Sequence, residues 1–385
     1  MSRTIPYARP CIDEADIEAV VDILRGQWLT QGPTVPAFEE NLSETCDCRY
    51  AVVVNSATAA LHVACLALGV GNGSLVWTVP NTFVASANCA LYCGATVDFV
   101  DIDPSTWCMS TEALSQKLQL HKRTGQRLPD VLIPVHFGGQ TCDMAVISKL
   151  AHEYGFKIIE DASHALGGQL CGEPVGNCRY SAVTVFSLHA VKIITAGEGG
   201  VATTNDVELA AAMRKLRSHG IVRDTALLSQ PSDGPWYYEQ CDLGFNYRLS
   251  DIHAALGLSQ LYKLGDFVAR RNALADTYDQ AFIGDSVKLQ AVPEDVYSAR
   301  HLYVIRVDAK RRSDIFSELR ASGIEVNLHY IPVHLHPYYR RLGFVRGMFP
   351  EAECYYGEAI TLPLFPGMSG EDQQYVIENV KTLLA

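Results

Sequence analysis

Short apolar stretches alternate with amphipathic segments from about residue 14 to residue 260. Apolar residues that recur every three or four positions indicate helices, and short β-branched runs between turn residues indicate strands. The predicted strands are 51–54, 75–79, 96–100, 131–135, 157–160, 181–187 and 200–204. The predicted helices are 57–68, 83–92, 143–154, 206–217 and 250–262. This alternation predicts an α/β fold, in which helices cover both faces of a sheet.

The pattern changes beyond residue 260. The predicted order there is a long helix (265–282), a strand (301–307), a helix (311–322), a strand (324–329) and a last helix that Ser369 caps. A chain of 385 residues is also too long for one ordinary hydrophobic core. We therefore expect a large domain over residues 1–260 and a small C-terminal α+β domain over residues 261–385. The N-terminal segment of the large domain can pack on the small domain.

The charge and the cysteine content indicate which partners are excluded and which cellular compartment is expected. The formal net charge is −12, with both signs interspersed, which argues against binding to nucleic acid or to an anionic membrane. The first 24 residues lack the basic start and continuous apolar stretch of a secretory signal. Twelve cysteines without a C-x-x-C pair are typical of reduced thiols. We expect a cytoplasmic protein.

Two residues carry the strongest chemical signal. Asp161 follows the strand at 157–160, and ligands of open α/β sheets bind outside the carboxyl ends of the strands. Lys192 lies between two predicted strands, in a loop that contains Gly197, Gly199 and Gly200. A lysine amine can form an imine with pyridoxal phosphate, and a carboxylate can keep the pyridine nitrogen protonated. Taken alone, Lys192 would be a solvated surface lysine, but its apolar neighbours favour the pyridoxal phosphate hypothesis.

Three other motifs leave alternatives open. Residues 55–60 follow a strand and open a helix, so they form either a phosphate site or an ordinary serine N-cap. The glycine-rich segment 69–74 precedes a strand instead of following one, which indicates a turn and not a dinucleotide site. His329, His334 and His336 could bind metal, but without a carboxylate or cysteine at ligand spacing they are better interpreted as polar groups for a sugar or phosphate.

Three motifs in order resemble those of the DegT/DnrJ/EryC1/StrS sugar aminotransferases. They are EDASHALG at 160–167, FSLHAVK with TAGEGG at 186–200, and GFNYRLSDIHAALG at 244–257. The resemblance runs from WLTQGP at 28–33 to the region around residues 362–364. It implies the fold type I of pyridoxal-phosphate-dependent transferases, with a mostly parallel sheet of about seven strands. Within the family, the segments 55–58, 163–167, 217–220 and 329–330 resemble enzymes of pseudaminic acid biosynthesis.

The resemblance also implies roles for particular residues. Lys192 would bind the cofactor aldehyde, Asp161 its pyridine nitrogen, and His164 would lie near its phenolic oxygen. Phe83 would cover the other ring face, where many relatives carry tryptophan. The phosphate would contact Ala57, Thr58, Ser187 and, from the second subunit of a homodimer, Asn246. The sugar nucleotide would contact Tyr7, Trp28, Thr30, His329 and Tyr330. No metal site is expected.

The implied reaction moves an amino group from L-glutamate to C4 of a UDP-linked 4-keto-6-deoxy-N-acetylhexosamine, and the product would enter a surface glycan. Alternative acceptors are other nucleotide keto sugars, aminated at C3 or linked to GDP or dTDP, and cyclitols or amino acids. A related sugar dehydratase carries histidine in place of the lysine, so Lys192 argues against that chemistry. A non-enzymatic, pyridoxal-dependent regulatory module has no fused DNA-binding segment to support it.

Overall fold

The computed structural model of the chain describes residues 3–384. The strands, in chain order, are β1 (Ile5–Pro6), β2 (Tyr50–Val54), β3 (Leu75–Thr78), β4 (Thr96–Phe99), β5 (Val131–Ile133), β6 (Lys157–Asp161), β7 (Gln169–Leu170), β8 (Glu173–Pro174), β9 (Val183–Ser187), β10 (Gly200–Thr204), β11 (Ile221–Val222), β12 (Glu239–Gln240), β13 (Lys288–Leu289), β14 (Val296–Tyr297), β15 (Tyr303–Arg306), β16 (Ile324–Glu325) and β17 (Ala359–Leu362).

Thirteen α-helices lie within residues 3–384. They are α1 (Glu14–Arg25), α2 (Thr34–Thr45), α3 (Ala57–Ala67), α4 (Ala85–Tyr92), α5 (Thr111–Thr124), α6 (Met144–Tyr154), α7 (Val207–Leu216), α8 (Asp251–Leu261), α9 (Leu264–Ala281), α10 (Arg312–Ala321), α11 (Pro337–Arg340), α12 (Pro350–Glu358) and α13 (Gly370–Leu384). Ser369 accepts a hydrogen bond from the Asp372 N–H at 3.0 Å, so the predicted cap of the last helix is present.

A seven-stranded sheet organises the larger part of the chain, in the order β2-β10-β9-β6-β5-β3-β4. The pairings from β9 to β4 are parallel, and β10 runs antiparallel to both β9 and β2. The mostly parallel sheet that the family resemblance implies is therefore confirmed. The carboxyl ends of β6 and β9 lie side by side, since Asp161 pairs with Val185.

Successive residues of strand β2 face opposite layers of helices. In β2, Ala51 and Val53 pack in the cluster that contains α2 and α8, whereas Val52 and Val54 pack in the cluster that contains α3 and α7. Because both of its faces are covered, β2 carries a run of apolar residues instead of alternating with polar ones. A Cβ on Gly257 would lie 2.6 Å from the ring of Phe38, so a glycine is needed where α8 approaches α2.

The C-terminal part forms a smaller sheet, in the order β13-β15-β17, which packs with α9, α10 and α13. Strand β1 pairs in parallel with β16, and this pairing buries Ile5 in the same hydrophobic cluster. The predicted strand at 324–329 ends after Glu325. Beyond it, Asn327 forms an isolated bridge to Thr361, so the chain leaves the sheet before His329. The domain boundary at residue 260 stays a prediction.

Candidate active site

A cavity of about 440 Å³ opens at the carboxyl ends of β6 and β9. Ten of the thirteen side chains predicted from the sequence line it: Tyr7, Ala57, Thr58, Phe83, Asp161, His164, Ser187, Lys192, His329 and Tyr330. The sheet topology explains this convergence, because parallel strands end at one edge and the loops that follow them meet there.

Asp161 is held rigidly at the base of the cavity, where only 5% of its surface is exposed. The Ser86 hydroxyl donates to Oδ2 at 2.6 Å, and the Ser163 N–H donates to Oδ1 at 3.1 Å. Thr82 and Ser86 are also within 2.8 Å of each other. Since the Ser86 proton is directed to Asp161, Thr82 is the donor in that second contact. This chain of hydroxyls fixes the orientation of the carboxylate.

Lys192 is held by the loop between β9 and β10. Its N–H donates to the His189 carbonyl at 2.9 Å, and the Leu188 and Gly199 backbones close the base of the loop at 2.9 Å. The neighbours Ile193 and Ile194 are buried. Desolvation lowers the pKa of the Lys192 amine to about 8, although the nearby Asp161 carboxylate raises it in part. A much larger fraction of this amine than of an ordinary lysine amine is therefore neutral, and nucleophilic, near neutral pH.

The ring of His164 has a defined tautomer. Its Nδ1 accepts a hydrogen bond from the Gly138 N–H at 3.2 Å. Burial holds the pKa of His164 well below its ordinary value, and the positive charge of Lys192 acts in the same direction. The neutral ring therefore carries its proton on Nε2, which lies 3.1 Å from the Tyr330 hydroxyl. His164 thus presents an N–H donor to the cavity side of the ring.

A cradle for an anion lies where α3 begins. Ser56 caps the helix by accepting a hydrogen bond from the Ala59 N–H at 3.1 Å, and Ala57 and Thr58 line the cavity in its first turn. A Cβ on Gly200 would lie 2.3 Å from the Ser56 carbonyl, so only glycine lets β10 approach this turn. Ser187 borders the same space. The N-cap and the anion site, which were alternatives in the sequence, are compatible here because the capping hydroxyl leaves other donors free.

Aromatic and imidazole rings form the remaining walls. The rings of Phe83 and Tyr330 are 6.3 Å apart, and the rings of Tyr7 and His329 are 5.6 Å apart. His329 Nδ1 lies 2.9 Å from the Thr361 hydroxyl, and burial lowers the pKa of His329 to about 3. Burial raises the pKa values of Tyr7 and Tyr330. These walls therefore present neutral hydrogen-bonding groups.

Several lining residues escape the sequence analysis. His301 is buried, its ring lies 4.5 Å from that of His164, and its Nδ1 has no hydrogen-bond partner within residues 3–384. Thr82 and Ser86 support Asp161 from a segment distant in sequence, whereas Ser163 lies only two residues beyond it. For His301 no sequence signal exists, whereas Ser86 is marked only by its place in the first turn of a helix that opens on the site.

Three predicted residues lie elsewhere on this chain. Trp28, with 59% of its surface exposed, does not line the cavity, and neither do Thr30 and Asn246, which are also exposed. Asn246 forms an isolated bridge with Ser218, and its carbonyl accepts from the Asn55 side chain at 3.5 Å. The role assigned to Asn246 involves a second subunit, so this position does not test it. The roles of all thirteen residues stay predictions.

The histidines that suggested a metal alternative have separate partners. His329 contacts Thr361, whereas His334 Nε2 lies 2.9 Å from a Glu353 carboxylate oxygen. Over residues 3–384, no group of three or more His, Cys, Asp and Glu side chains is arranged to hold a metal ion. Over the same span, no helix is long and apolar enough to cross a membrane.

The donor set of the cavity fits pyridoxal phosphate. An amine with a lowered pKa, a fixed carboxylate, a neutral imidazole donor and an anion cradle surround one space. A primary amine suits the aldehyde, the carboxylate suits the pyridinium nitrogen, and the helix start suits the phosphate. The fold and these groups define a fold type I, pyridoxal-phosphate-dependent enzyme.

Comparisons with known proteins identify the family. The profile of the DegT/DnrJ/EryC1/StrS aminotransferase family matches residues 10–381. The chain is 38% identical to the spore coat polysaccharide biosynthesis protein SpsC of Bacillus subtilis, over 99% of this chain and 97% of SpsC. The chain belongs to the DegT/DnrJ/EryC1/StrS aminotransferase family, whose members are pyridoxal-phosphate-dependent sugar aminotransferases.

Solved structures agree with this assignment. The putative sugar aminotransferase Spr1654 of Streptococcus pneumoniae, in its pyridoxamine phosphate form, superposes with a TM-score of 0.90 at 34% identity, over 99% of both chains. A pyridoxal phosphate form of the same protein also matches. PseC of Helicobacter pylori, an aminotransferase of pseudaminic acid biosynthesis, superposes with a TM-score of 0.90 at 30% identity, over 99% of both chains.

Proposed function

We propose that this enzyme transfers the amino group of L-glutamate to C4 of a UDP-linked 4-keto-6-deoxy-N-acetylhexosamine, for a surface glycan of the pseudaminic acid type. The observation that carries the proposal is the single cavity shared by a desolvated Lys192, a fixed Asp161 and neutral hydrogen-bonding walls. The similarity to PseC and to SpsC supports a sugar acceptor.

Lys192 performs the proton transfers in this proposal. Pyridoxal phosphate, when bound, supplies an aldehyde that takes up an amine and a ring that accepts electrons. With its pKa lowered to about 8, the Lys192 amine is neutral often enough to take the proton from the α-carbon of glutamate. It returns a proton to the sugar carbon when the half-reaction runs in reverse. The products are 2-oxoglutarate and the 4-amino sugar.

Asp161 and His164 hold charge and protons in place. The Asp161 carboxylate, fixed by Ser86 and Ser163, keeps a proton on the pyridine nitrogen. His164, whose Nδ1 is occupied by the Gly138 N–H, donates its Nε2 proton to the phenolic oxygen. Because hydrogen bonds within the protein hold both groups in place, little reorganisation accompanies catalysis.

The sugar is held by neutral groups in this proposal. Tyr7, His329 and Tyr330 offer hydroxyl and imidazole groups that match sugar hydroxyl and amide groups. Lys192 is the only lysine or arginine that lines the cavity among the residues the structure describes. The charges of the nucleotide diphosphate therefore need partners outside this cavity. A homodimer, in which Asn246 and exposed loops of a second subunit complete the site, would supply that surface.

The test uses the purified holoenzyme with L-glutamate and a panel of UDP-, GDP- and dTDP-linked keto sugars, together with a keto cyclitol. Amine transfer is read by mass, and the aminated carbon by NMR. Fastest transfer to C4 of the UDP-linked 4-keto-6-deoxy-N-acetylhexosamine is the expected result. Faster amination at C3, or of a GDP- or dTDP-linked sugar or the cyclitol, would assign one of the alternative acceptors. No release of 2-oxoglutarate with any acceptor would favour the regulatory module.

A further inference from the structure

One imidazole in the wall of the cavity has no role in the proposed chemistry. His301 lines the cavity, and only 3% of its surface is exposed. Its ring centre lies 4.5 Å from that of His164. His164 and His329 have hydrogen-bond partners, whereas Nδ1 of His301 has none within residues 3–384. Because Nδ1 has no contact with solvent, Nε2 is the nitrogen of His301 that a ligand in the cavity can reach.

The turn after β5 fixes the position of His301. The Leu302 N–H donates to the Gly138 carbonyl at 3.2 Å, which ties the next residue of the chain to this turn. A Cβ on Gly139, whose φ is +101°, would lie 3.0 Å from the backbone nitrogen of His301, so this close approach requires glycine. The Gly138 N–H also donates to Nδ1 of His164. One turn therefore holds both imidazole rings at the cavity.

A buried positive charge lies behind His301. Arg271, on α9, is 1% exposed, and its Nη1 donates to the carbonyls of His301 at 3.3 Å and of Leu364 at 3.0 Å. Its Nε has no hydrogen-bond partner within residues 3–384, and no carboxylate of the same span forms a salt bridge with it. Burial lowers the pKa of Arg271 to about 10, so the guanidinium stays charged near neutral pH. A buried charge without a counter-ion is destabilising, and an anion bound beside His301 would offset that effect.

The amino donor brings such an anion. In the proposed reaction Lys192 takes a proton from the α-carbon of L-glutamate, so the carboxylate on that carbon enters the same cavity. The acidic side chains that line the cavity are Asp161 and Glu198, and Lys192 is its only lysine or arginine among the residues that the structure describes. Since Lys192 acts as a base, it is neutral when it takes up the proton. The α-carboxylate therefore needs a neutral donor in the wall and a positive charge behind it.

We propose that Nε2 of His301 donates a hydrogen bond to the α-carboxylate of the amino donor, and that the buried Arg271 stabilises this anion through its charge. The inference rests on the aminotransfer proposed above. Desolvation holds the pKa of His301 well below its ordinary value, and the charge of Lys192 acts in the same direction, so the ring is neutral. A carboxylate only accepts hydrogen bonds, so it selects the tautomer with the proton on Nε2. His301 is thus a substrate-binding residue that recognises α-amino acids as donors.

The first experiment follows the cofactor absorbance of the holoenzyme as it reacts with one of three donors. L-Glutamate carries both carboxylates, L-glutamine has an amide in place of the distal one, and L-isoglutamine has an amide in place of the α-carboxylate. His301→Phe keeps an aromatic ring beside His164 and removes both nitrogens. We expect the rate per concentration of donor to fall about tenfold to a hundredfold with L-glutamate and with L-glutamine, because a hydrogen bond to a charged group is lost. It should fall much less with L-isoglutamine, whose α-amide carries no charge.

The comparison among donors separates lost binding from general damage to the site. The matched control His152→Phe, at an exposed position on α6, should leave all three rates unchanged. His301→Gln, whose amide still donates, should lose less than His301→Phe, and it replaces that variant if the latter does not fold. An equal fall with all three donors would overturn the proposal. A fall confined to L-glutamate and L-isoglutamine would also overturn it, since His301 would then contact the distal carboxylate.

The second experiment measures binding without reaction. Glutarate has two carboxylates and no amine, and its dissociation constant for the holoenzyme is measured by calorimetry. We expect this constant to rise about tenfold in His301→Phe and to stay unchanged in His152→Phe. Unchanged glutarate binding in His301→Phe would refute the role of His301. The proposed function fails separately, if the wild-type holoenzyme reacts with no donor or with L-glutamine alone, and the binding of glutarate still decides the role of His301 in that case.

Discussion

The inner wall of the cavity and the exposed segments assigned to the same site are built differently. Asp161 is 5% exposed and accepts hydrogen bonds from Ser86 and Ser163, and Lys192 lies in a loop held by backbone hydrogen bonds. Trp28, in contrast, is 59% exposed and lines no part of the cavity. One chain thus orders the groups that fit the cofactor, whereas the groups predicted for the sugar nucleotide are only partly assembled.

The largest expected effect comes from the inner wall. Lys192→Ala removes the only lysine amine that lines the cavity among residues 3–384, so the proton transfers lose their catalyst. We expect the release of 2-oxoglutarate from L-glutamate to fall by about 10⁴-fold, the upper end of what a positioned proton-transfer group contributes. The cofactor absorbance should also stop responding to glutamate. The matched control Lys310→Ala, at an exposed position outside the cavity, should keep wild-type turnover. Turnover retained in Lys192→Ala would reject the assignment.

The next effect tests the exposed segments. Asn246→Asp places a negative charge where a phosphate is expected to bind across a subunit interface, so we expect turnover to fall by about 10²-fold. Asn379→Asp adds the same charge to α13, away from the cavity, and should change little. Cofactor affinity is measured in parallel, because weaker phosphate binding should appear there as well.

Mixing two inactive variants makes the comparison sharper. If each site draws Asn246 from the partner, a mixed dimer of Lys192→Ala and Asn246→Asp chains contains one intact site. Dissociating and recombining equal amounts should then restore about a quarter of the wild-type activity, as random pairing of two subunits requires. No recovery, although mixed dimers are shown to have formed, would mean that Asn246 does not complete the partner's site.

The same contrast explains what the sequence could predict. Asp161 ends an apolar strand, and Lys192 lies in a glycine-rich loop after another. Both elements can be predicted from local sequence patterns, and the convergence of the two residues at one sheet edge then follows from the topology. His301 reaches the cavity, and Ser86 reaches Asp161, through long-range packing that a local sequence pattern does not reveal. The strand expected at 324–329 stops at Glu325, because Asn327 bridges to Thr361 instead of extending the pairing with β1. Tertiary contacts decide such ends.

A moderate effect is expected from the support of the inner wall. Ser86→Ala removes the 2.6 Å hydrogen bond to Asp161 and leaves the carboxylate held by Ser163. A lost hydrogen bond to a charged group costs about 1.5–3 kcal/mol, so kcat should fall by roughly tenfold to a hundredfold. Ser148→Ala, on α6 and outside the cavity, is the control. An unchanged kcat would show that Asp161 is positioned without Ser86.

The smallest effect concerns the electrostatic coupling of the two central residues. The uptake of pyridoxal phosphate by the apoenzyme needs the neutral Lys192 amine, so its rate should rise with pH and reach half-maximum near pH 8 instead of near 10.5. The Asp161 carboxylate raises the pKa of Lys192, because it stabilises the ammonium form. Asp161→Asn removes that stabilisation, so the half-maximum should move to lower pH. The exposed control Asp276→Asn should leave it in place. A shift to higher pH in Asp161→Asn would contradict the coupling of the two groups across the cavity. It would mean that the substitution changes the pKa of Lys192 mainly through desolvation of the amine, and not through loss of the carboxylate charge.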